Sequence, residues 1–451
     1  MQRTVDHELI QWKEDNSRKI LLVRGARQVG KTYSVRKFGK TFNSYLEVNF
    51  EEHPQIMPFF DNSLNPYEIC EKLSIYFGMD IIPGETLLFF DEIQACPNAL
   101  ASLRFFYEKL QDLHVIAAGS LLELTVSEIP SFGVGRIRSL FMYPMTFSEY
   151  LTASGEDKSS RLIMSASPAK PIEPIFHEKF LEKLKIFQIT GGMPEVVSSY
   201  IKHKNFNACQ MIIDDIVTTL TDDFAKYKKR APVLRLQEVF TSIVHQAGGK
   251  FKFSNIPSSG NHRAYKDALD LLIRAGLAYK IHHTAARGLP LAAQTNPKKF
   301  KVIIFDTGIF QRILGLDLSA LVLDDFKILI NKGALSEIFV GIELIAAFSP
   351  YSRPELFYWH REARSSNAEV DYVLSRNTRI LPIEVKAGTR GQMQSLHLFL
   401  KERNLEKGFR ISHENFAVYD RFQTVPMYAT GNLLRWDFEG EGSDQVGGQD
   451  G

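Results

Sequence analysis

A glycine-rich segment near the N-terminus carries the clearest chemical pattern in the chain. Residues 19–32 read KILLVRGARQVGKT, which is an apolar run followed by a complete G-x-x-x-x-G-K-[ST] pattern. The glycines let successive backbone N–H groups point into one concavity that suits phosphate oxygens. We therefore expect a nucleotide-binding phosphate loop made of Gly25, Ala26, Arg27, Gln28, Val29, Gly30, Lys31 and Thr32.

The last two residues of this loop have separate chemical tasks. Lys31 can reach the β- and γ-phosphates, and the Thr32 hydroxyl can complete the coordination of Mg²⁺. A helix predicted from residue 32 to about residue 38 points its positive N-terminal end at the same place. The alternative is a chance glycine-rich strand–turn–helix, and the apolar strand directly before the motif favours the nucleotide site.

A second apolar run ends in two acids. Residues 86–92 read TLLFFDE, which is typical of a buried parallel strand with charge at its C-terminal end. In P-loop enzymes that end faces the nucleotide, so we expect Asp91 to hold Mg²⁺ through water and Glu92 to polarise the attacking water. The alternative is an exposed acidic pair at a strand end.

Two further polar residues are candidates for the same site. Ser120 follows a buried strand predicted at residues 114–118, and at the tip of that strand it could sense the γ-phosphate. Arg136 lies in a glycine-rich loop, with Arg138, before a strand predicted at residues 139–143. Arg136 is a candidate arginine finger toward a neighbouring subunit, which would require a homo-oligomer. It could also be a solvated loop residue or a phosphate ligand within its own subunit.

A different set of charged residues marks the C-terminal half. Asp371 lies on a predicted strand at 369–374, and a strand at 380–386 carries Glu384 and Lys386. Asp, about a dozen residues and then Glu-x-Lys is the spacing of the PD-(D/E)xK nuclease core, and the period of a strand puts Glu384 and Lys386 on one face. We expect Asp371 and Glu384 to ligate Mg²⁺, with Lys386 positioning or activating a water.

An extra acid and a departure from the pattern accompany this set. Glu337, on a mostly apolar helix predicted at 335–348, matches the additional metal-ligating acid often found there. The residue before Asp371 is Val370 rather than proline, which makes the motif less specific. The alternative is that Glu-x-Lys only keeps a strand soluble, because folds of this kind can lose cleavage while keeping their shape.

Composition limits the class of protein. A chain of 451 residues is long for one core, so we expect two to three domains. The formal net charge of +2 means that any nucleic-acid surface must be a local patch. The three cysteines are widely separated, with no metal-binding spacing, and no apolar run approaches the length of a membrane span. We therefore expect a cytoplasmic protein without membrane contact.

Four stretches together resemble a known family. GARQVGKT, LLFFDEIQ, AAGS, and GR followed by YPMTFSEYL are similar to a prokaryotic AAA-type ATPase family of the AAA+/STAND branch. Members of that family pair this module with a C-terminal region of unknown function, which looks restriction-endonuclease-like. The resemblance implies ATP and Mg²⁺ as ligands. It also implies a five-stranded parallel sheet flanked by helices, followed by a helical lid.

The lid is expected at residues 144–204. Its segment ITGGMPEVV is similar to the glycine–proline motif by which STAND-type lids touch adenine, with Gly192 and Pro194 at the matching positions. The simpler interpretation is a turn in which Gly-Gly ends one element and Pro194 opens the next helix. The lid has no clear second-sensor arginine, which puts lid closure of the usual AAA+ kind in doubt.

The middle of the chain has the pattern of a winged helix. Between residues 205 and 330 a helix, a short helix, another helix and then a strand with a hairpin are predicted. His262, Arg263 and Lys266 start the candidate recognition helix, where they could touch DNA phosphates or bases. Winged helices also serve as protein–protein modules, so both kinds of partner stay open.

The expected fold class is therefore α/β: a P-loop parallel sheet with a helical lid, then a winged helix and a restriction-endonuclease-like α/β domain. The expected bounds are 1–143 for the core, 144–204 for the lid, 205–330 for the winged helix, 331–437 for the nuclease-like domain and 438–451 for a disordered tail. Three functions follow. They are an ATPase acting as a switch or motor, an ATP-controlled metal-dependent DNA nuclease, and a DNA- or partner-binding scaffold that uses ATP only for assembly.

Overall fold

The computed structural model describes residues 1–119, 122, 135–227, 230–257, 261–323, 332–361, 367–389 and 391–436. Ser120 and the expected tail at 438–451 lie outside these residues. Within the described ranges no helix is both long enough and apolar enough to cross a membrane.

Within the described residues, the N-terminal sheet has five parallel strands, as the family resemblance implies. Their order is β2-β3-β4-β1-β5. The strands are β1 Ile20–Arg24, β2 Ser44–Asn49, β3 Thr86–Asp91, β4 His114–Ala118 and β5 Ile137–Phe141. Strands β3 and β4 are buried along their whole length because helices cover both faces of the sheet. Along β1, Leu21 and Val23 pack into one core and Ile20 and Leu22 into the other, which is the period of two expected for a strand.

In the described part of this region, four helices and two 3₁₀ turns accompany the sheet. They are α1 Thr4–Glu14, α2 Lys31–Gly39, the turn Pro54–Phe60, α3 Pro66–Phe77, the turn Ile93–Ala95 and α4 Pro97–Lys109. Helix α2 begins directly at the end of the glycine-rich loop, so its N-terminus faces the loop. The apolar side of α1, with Leu9 and Trp12, is buried against the same core as α2.

The segment expected to be a lid is helical. It contains α5 Phe147–Ala153, α6 Asp157–Ser165, α7 Pro174–Thr190 and α8 Pro194–His203. Helix α5 begins with a capping box in which Thr146 accepts from the Glu149 N–H and Glu149 accepts from the Thr146 N–H. The N–H groups of Thr146 and Glu149, which have no acceptor within the helix, are therefore both satisfied.

The middle region has the predicted order of elements. It contains α9 Phe206–Asp222, a 3₁₀ turn Asp223–Tyr227, α10 Val233–His245, a 3₁₀ turn Phe253–Asn255, α11 His262–Arg274, and the hairpin β6 Ala278–Thr284 with β7 Thr295–Ile304. The first helix of this region ends at Asp222, where the chain tightens into the 3₁₀ turn. The winged-helix identity of this region stays a prediction.

The C-terminal region completes a second, mixed sheet of eight strands. Its elements are α12 Thr307–Ile313, α13 Leu318–Leu323, α14 Lys332–Ala347, β8 Leu356–His360, β9 Glu369–Arg376, β10 Arg379–Val385, α15 Gln394–Arg403, β11 Gly408–Ser412, β12 Ala417–Val418, β13 Phe422–Pro426 and a 3₁₀ segment Met427–Leu434. The strand order is β12-β13-β11-β10-β9-β8-β6-β7.

This sheet runs across the expected boundary at residue 330. Strand β6 pairs in parallel with β8 and antiparallel with β7, so the hairpin of the middle region is part of the C-terminal sheet. The expected domain bounds stay a prediction, but these two regions share one hydrogen-bonded sheet. Strand β6 is hydrogen-bonded to β8, and β8 to β9, so a change in the hairpin can shift β8 directly and β9 through it.

Candidate functional site

The glycine-rich loop between β1 and α2 has the backbone that a phosphate site needs. Gly25 has φ +152° and Gly30 has φ +97°, both in the left-handed region that favours glycine. A Cβ on Gly25 would lie 2.2 Å from the Met142 carbonyl oxygen, so no larger residue fits there. The loop is therefore packed tightly against the chain that leaves β5.

Lys31 is folded into this loop. Its Nζ donates to the Gly25 carbonyl oxygen at 3.0 Å and to the Ala26 carbonyl oxygen at 2.8 Å. Burial lowers the pKa of Lys31 to about 8, while the charges of Glu92 and Asp91 act in the opposite direction. The ammonium group lies within the loop and can exchange these carbonyls for phosphate oxygens.

Thr32 and Asp91 meet at the end of β3. The Thr32 Oγ1 donates to Asp91 Oδ2 at 3.0 Å. Burial, followed by the charge of Glu92, raises the pKa of Asp91 to about 6. A hydroxyl and a carboxylate are the oxygen ligands that Mg²⁺ takes beside nucleotide phosphates. These two side chains therefore fit a Mg²⁺ ion bound with ATP.

Glu92 stands next to Asp91 in an unusual conformation. Its φ is +48°, which is rare for a residue with a side chain, and such strain is often found at functional sites. The Glu92 N–H donates to Asp91 Oδ1 at 3.1 Å, and Gln94 Nε2 donates to Glu92 Oε2 at 2.5 Å. Glu92 lines the cavity at the loop together with Lys31 and Thr32.

Arg3 is a part of this site that the sequence analysis missed. Its guanidinium donates to the Val29 carbonyl oxygen at 2.9 Å and to the Tyr143 carbonyl oxygen at 2.8 Å. It also forms an ion pair with Glu149 at 3.1 Å, and only 8% of Arg3 is exposed. One buried cation thus ties the N-terminus, the phosphate loop and the first lid helix together. No local motif marks a single arginine in a polar N-terminal segment.

The two lid residues expected near adenine have different environments. Pro194 lines the same cavity, and its Cγ lies 3.7 Å from where a Cβ on Gly30 would be. Gly192 is instead buried in packing, because its N–H donates to Asp306 Oδ2 at 2.7 Å. Asp306 also accepts from the Ile309 N–H at 2.9 Å and so caps α12. The adenine contacts stay a prediction, and of the two residues Pro194 is the one that lines the cavity.

Arg136 lies at the opposite end of the strands from the phosphate loop. Strand β1 pairs Ile20 with Ile137 and Arg24 with Phe141, and the phosphate loop follows Arg24. Arg136 is therefore six residues, or about 20 Å, along the strand direction from the loop. It forms an ion pair with Glu108 of α4. This position contradicts the alternative in which Arg136 binds the phosphate of its own subunit, and a role in a neighbouring subunit stays a prediction.

The acids and the lysine expected to form a second site lie close together in the C-terminal sheet. Asp371 Oδ2 accepts from the Val385 N–H at 2.8 Å, which joins β9 to the end of β10. Lys386 Nζ contacts Glu384 Oε1 at 2.7 Å. Burial, followed by the nearby charge of Asp371, raises the pKa of Glu384 to about 8. Asp371 thus binds the backbone of Val385, the residue between Glu384 and Lys386.

A lysine that the sequence analysis did not consider lies among these acids. Lys301 on β7 places its Nζ 2.8 Å from Glu337 Oε1, 2.5 Å from Glu369 Oε1 and 3.7 Å from Asp371 Oδ1. Across the described ranges, no group of three or more His, Cys, Asp or Glu side chains is arranged to hold a metal ion. As arranged, Glu337, Asp371 and Glu384 do not fit a Mg²⁺ site, because Glu337 and Asp371 already surround an ammonium group.

The start of the candidate recognition helix is open to solvent. His262, Arg263 and Lys266 in the first turns of α11 are all exposed. The Asn261 side chain caps this helix by accepting from the Arg263 N–H at 3.0 Å. Two cationic side chains and an imidazole are thus presented together at the surface.

Comparison with family models assigns the N-terminal part of the chain. Residues 17–151 match a model described as an AAA domain. Residues 181–320 and residues 332–430 match two further models, each described as a domain of unknown function. With the parallel sheet and the phosphate loop, the first match defines the N-terminal part as a P-loop domain of the AAA ATPase type.

Similar proteins from bacteria match most of the chain. Uncharacterized proteins of Mycobacterium tuberculosis and Mycobacterium bovis are each 23% identical over 374 residues, which covers 81% of this chain and 70% of theirs. An uncharacterized protein of Haemophilus influenzae is 25% identical over 321 residues, covering 68% of this chain and 72% of its own. The similarity therefore extends beyond the AAA domain.

Solved structures show a more distant likeness. A Walker-type ATPase of Pyrococcus abyssi is 14% identical with a TM-score of 0.43, covering 70% of this chain and 96% of its own. The ORC1 protein of Aeropyrum pernix in complex with DNA is 12% identical with a TM-score of 0.25, covering 72% and 95%. A STAND protein of Pyrococcus horikoshii is 11% identical with a TM-score of 0.26, covering 75% and 45%. At these scores the likeness carries no argument about function.

Proposed function

We propose that this chain binds ATP with Mg²⁺ at the loop of residues 25–32 and hydrolyses it. The observation that carries the proposal is the hydrogen bond of 3.0 Å between Thr32 Oγ1 and Asp91 Oδ2, beside the buried ammonium of Lys31. A hydroxyl from the loop and a carboxylate from the end of β3 meet where a metal–phosphate complex would be bound. The AAA-type domain match supports the same assignment.

Each residue has a defined task in this reaction. Lys31 and the loop N–H groups bind the phosphates, and Thr32 and Asp91 hold the Mg²⁺, which neutralises charge on the phosphate oxygens. Glu92 orients the attacking water and takes up its proton through a carboxylate whose position is fixed by Gln94. The lid residue Pro194 closes one side of the cavity.

The direct test is ATP turnover in the wild type and in Lys31→Ala. We expect steady phosphate release by the wild type and loss of about a hundredfold or more in the variant, because the variant lacks the cation that stabilises the transferred phosphate. Lys40→Ala is the matched control, since Lys40 is exposed just beyond the same helix. Equal turnover in Lys31→Ala and Lys40→Ala would overturn the proposal.

We further propose that the C-terminal half associates with DNA and that ATP controls this association. The supporting observation is the exposed group of His262, Arg263 and Lys266 at the start of α11, the helix that precedes the β6–β7 hairpin. Cations at a helix start near a hairpin suit contacts to DNA phosphates. Phosphate contacts alone would give binding that depends strongly on salt.

Fluorescence anisotropy with a labelled DNA duplex tests this second proposal. The double variant Arg263→Ala/Lys266→Ala should weaken binding about tenfold or more at low salt and reduce the salt dependence, because two phosphate contacts are lost. Lys158→Ala, an exposed lysine on the lid, is the control. Wild-type protein that does not bind DNA would leave the alternative of a scaffold that binds other proteins.

The remaining alternative is an ATP-regulated DNA nuclease that depends on Mg²⁺. It requires a divalent cation held by Asp371 and Glu384, with Lys386 beside the reacting water. It is supported by the contact between Lys386 and Glu384 and by the hydrogen bond of Asp371 with the N–H of Val385, the residue between them. It is opposed by the contacts of Lys301 with Asp371 and with the additional acid Glu337.

A further inference from the structure

The acidic cluster of the C-terminal sheet already contains a cation. Lys301 Nζ is 2.8 Å from Glu337, 2.5 Å from Glu369 and 3.7 Å from Asp371, and only 1% of this lysine is exposed. Three carboxylates from α14 and β9 thus converge on one ammonium group. The same carboxylates include two of the three acids that a metal site would need.

Lys301 is not part of the Asp…Glu-x-Lys motif, although it neutralises carboxylate charge there. Lys301 lies on β7, the second strand of the hairpin, whereas Asp371 is on β9 and Glu337 is on α14. Its ammonium also lies 5.4 Å from the centre of the Tyr358 ring on β8. The Tyr372 hydroxyl donates to the Glu337 carbonyl oxygen at 2.7 Å and holds α14 against the sheet. The pocket around the ammonium is therefore built from several elements and is preorganised.

One carboxylate oxygen of the cluster has no partner. Glu384 is 6% exposed and its Oε1 contacts Lys386, whereas its buried Oε2 has no hydrogen-bond partner among the residues that the structure describes. A buried carboxylate oxygen without a donor is costly unless a cation lies near it. This oxygen is the part of the cluster that the two lysines leave unsatisfied.

We propose that Lys301 is a built-in counter-ion that takes the place of a divalent metal in this cluster. The wild-type chain then holds no Mg²⁺ between Asp371 and Glu384, and removing the ammonium opens a divalent-cation site made by Glu337, Asp371 and Glu384. The physical reason is repulsion: a second cation a few ångströms from a buried ammonium is opposed in a medium of low dielectric constant. This inference concerns the C-terminal sheet and is independent of the proposed ATP site.

Metal binding by the full chain without nucleotide tests the proposal. The probe is Tb³⁺, whose luminescence is sensitised by nearby tyrosine rings, with Mn²⁺ titration calorimetry as a second measurement. Lys301→Met keeps the length and the apolar stem of the side chain and removes its charge. We expect about one equivalent of metal to bind Lys301→Met at least tenfold more tightly than it binds the wild type. Lys298→Met, an exposed position on the same strand, should behave as the wild type.

The location of the new site is tested by removing one ligand. Adding Asp371→Asn to Lys301→Met should abolish the gain. If Lys301→Met does not fold, as judged by circular dichroism, Lys301→Met/Glu369→Gln removes one uncompensated carboxylate and keeps the three proposed ligands. That double variant should then also bind metal at least tenfold more tightly than the wild type does. The proposal is overturned if the wild type binds one equivalent that is lost in Asp371→Asn, or if the folded lysine variant gains no metal.

Discussion

Arg27 of the phosphate loop forms an ion pair with Asp223, the first residue of the 3₁₀ turn that follows α9. Lys226 of the same turn lies 3.5 Å from Asp223 and 3.7 Å from Glu51, which follows β2. The loop that would bind ATP is thus joined directly to the region leading into the C-terminal half. Arg27 also lines the cavity beside Lys31, so a bound phosphate would compete with Asp223 for this guanidinium.

Removing that competition should strengthen nucleotide binding. In Asp223→Asn we expect the Kd for ATP to fall about threefold to tenfold, a change of the size typical of coupling between sites. Calorimetric titration measures it directly. Asp222→Asn is the matched control, because Asp222 is the exposed neighbour of Asp223. An unchanged or weaker affinity in Asp223→Asn alone would show that the ion pair does not oppose ATP.

Glu92 should separate binding from hydrolysis. Glu92→Gln keeps the hydrogen-bonding shape but cannot accept the proton of the water, so turnover should fall about a hundredfold or more. The affinity for MgATP should stay within about threefold of the wild type, because the substitution leaves Lys31, Thr32 and Asp91 in place. Glu195→Gln is the control, since Glu195 lines the same cavity from the lid. Normal turnover by Glu92→Gln would remove Glu92 from its proposed role.

Arg136 gives a test of action between subunits. If it serves a neighbouring active site, Arg136→Ala should be nearly inactive, and mixing it with Lys31→Ala should restore part of the turnover. ATP should also shift the wild type toward oligomers in sedimentation. Arg138→Ala is the control, as Arg138 lies on the adjoining strand but pairs with Asp15 at 3.6 Å. Mixing without any recovery would leave Arg136 as a structural partner of Glu108.

Glu343 makes stability depend on pH. Its Oε1 accepts from the Phe147 N–H at 2.7 Å, and burial raises the pKa of Glu343 to about 8. A carboxyl group with a raised pKa in the folded state binds a proton more readily there than in the unfolded chain. Its contribution to stability is therefore complete below the unfolded pKa and is lost as the pH rises through 8.

Glu343→Gln should remove this loss. Between pH 6 and pH 9 the drop in the free energy of unfolding should be smaller in the variant by on the order of 1–3 kcal/mol. Urea unfolding at the two pH values measures the difference. Glu182→Gln, an exposed acid on α7, is the control. Parallel pH profiles for Glu343→Gln and the wild type would contradict a raised pKa for Glu343.

Local sequence patterns predicted the buried strands of the N-terminal sheet and the glycine-rich turn before α2. Residues 25–32 are contiguous, and an apolar run such as residues 87–90 has few alternatives to a buried strand. The same reasoning predicted the order of helices and hairpin before β8. These features are determined by residues close together in the sequence, so residue spacing and composition are enough to predict them.

Contacts between distant parts of the chain could not be predicted in this way. Arg3 reaches Tyr143, Arg27 reaches Asp223, and Lys301 reaches Glu337 and Glu369 only because packing brings separate elements together. Nothing in the spacing around a lysine on β7 distinguishes a buried counter-ion from a solvated side chain. The prediction of a metal site in the C-terminal sheet was affected most, because the sequence motif contains the acids but not Lys301, the cation that neutralises them.

The most direct test of the central claim is a calorimetric titration of the nucleotide-free chain with ATP in the presence of Mg²⁺. We expect the wild type to have one binding site for MgATP and Lys31→Ala to have lost it. ATP binding by Thr32→Val should no longer depend on Mg²⁺, because the valine lacks the metal-ligating hydroxyl. A wild-type chain that gives no heat with MgATP, or a Lys31→Ala chain that binds it as tightly as the wild type, would contradict the account.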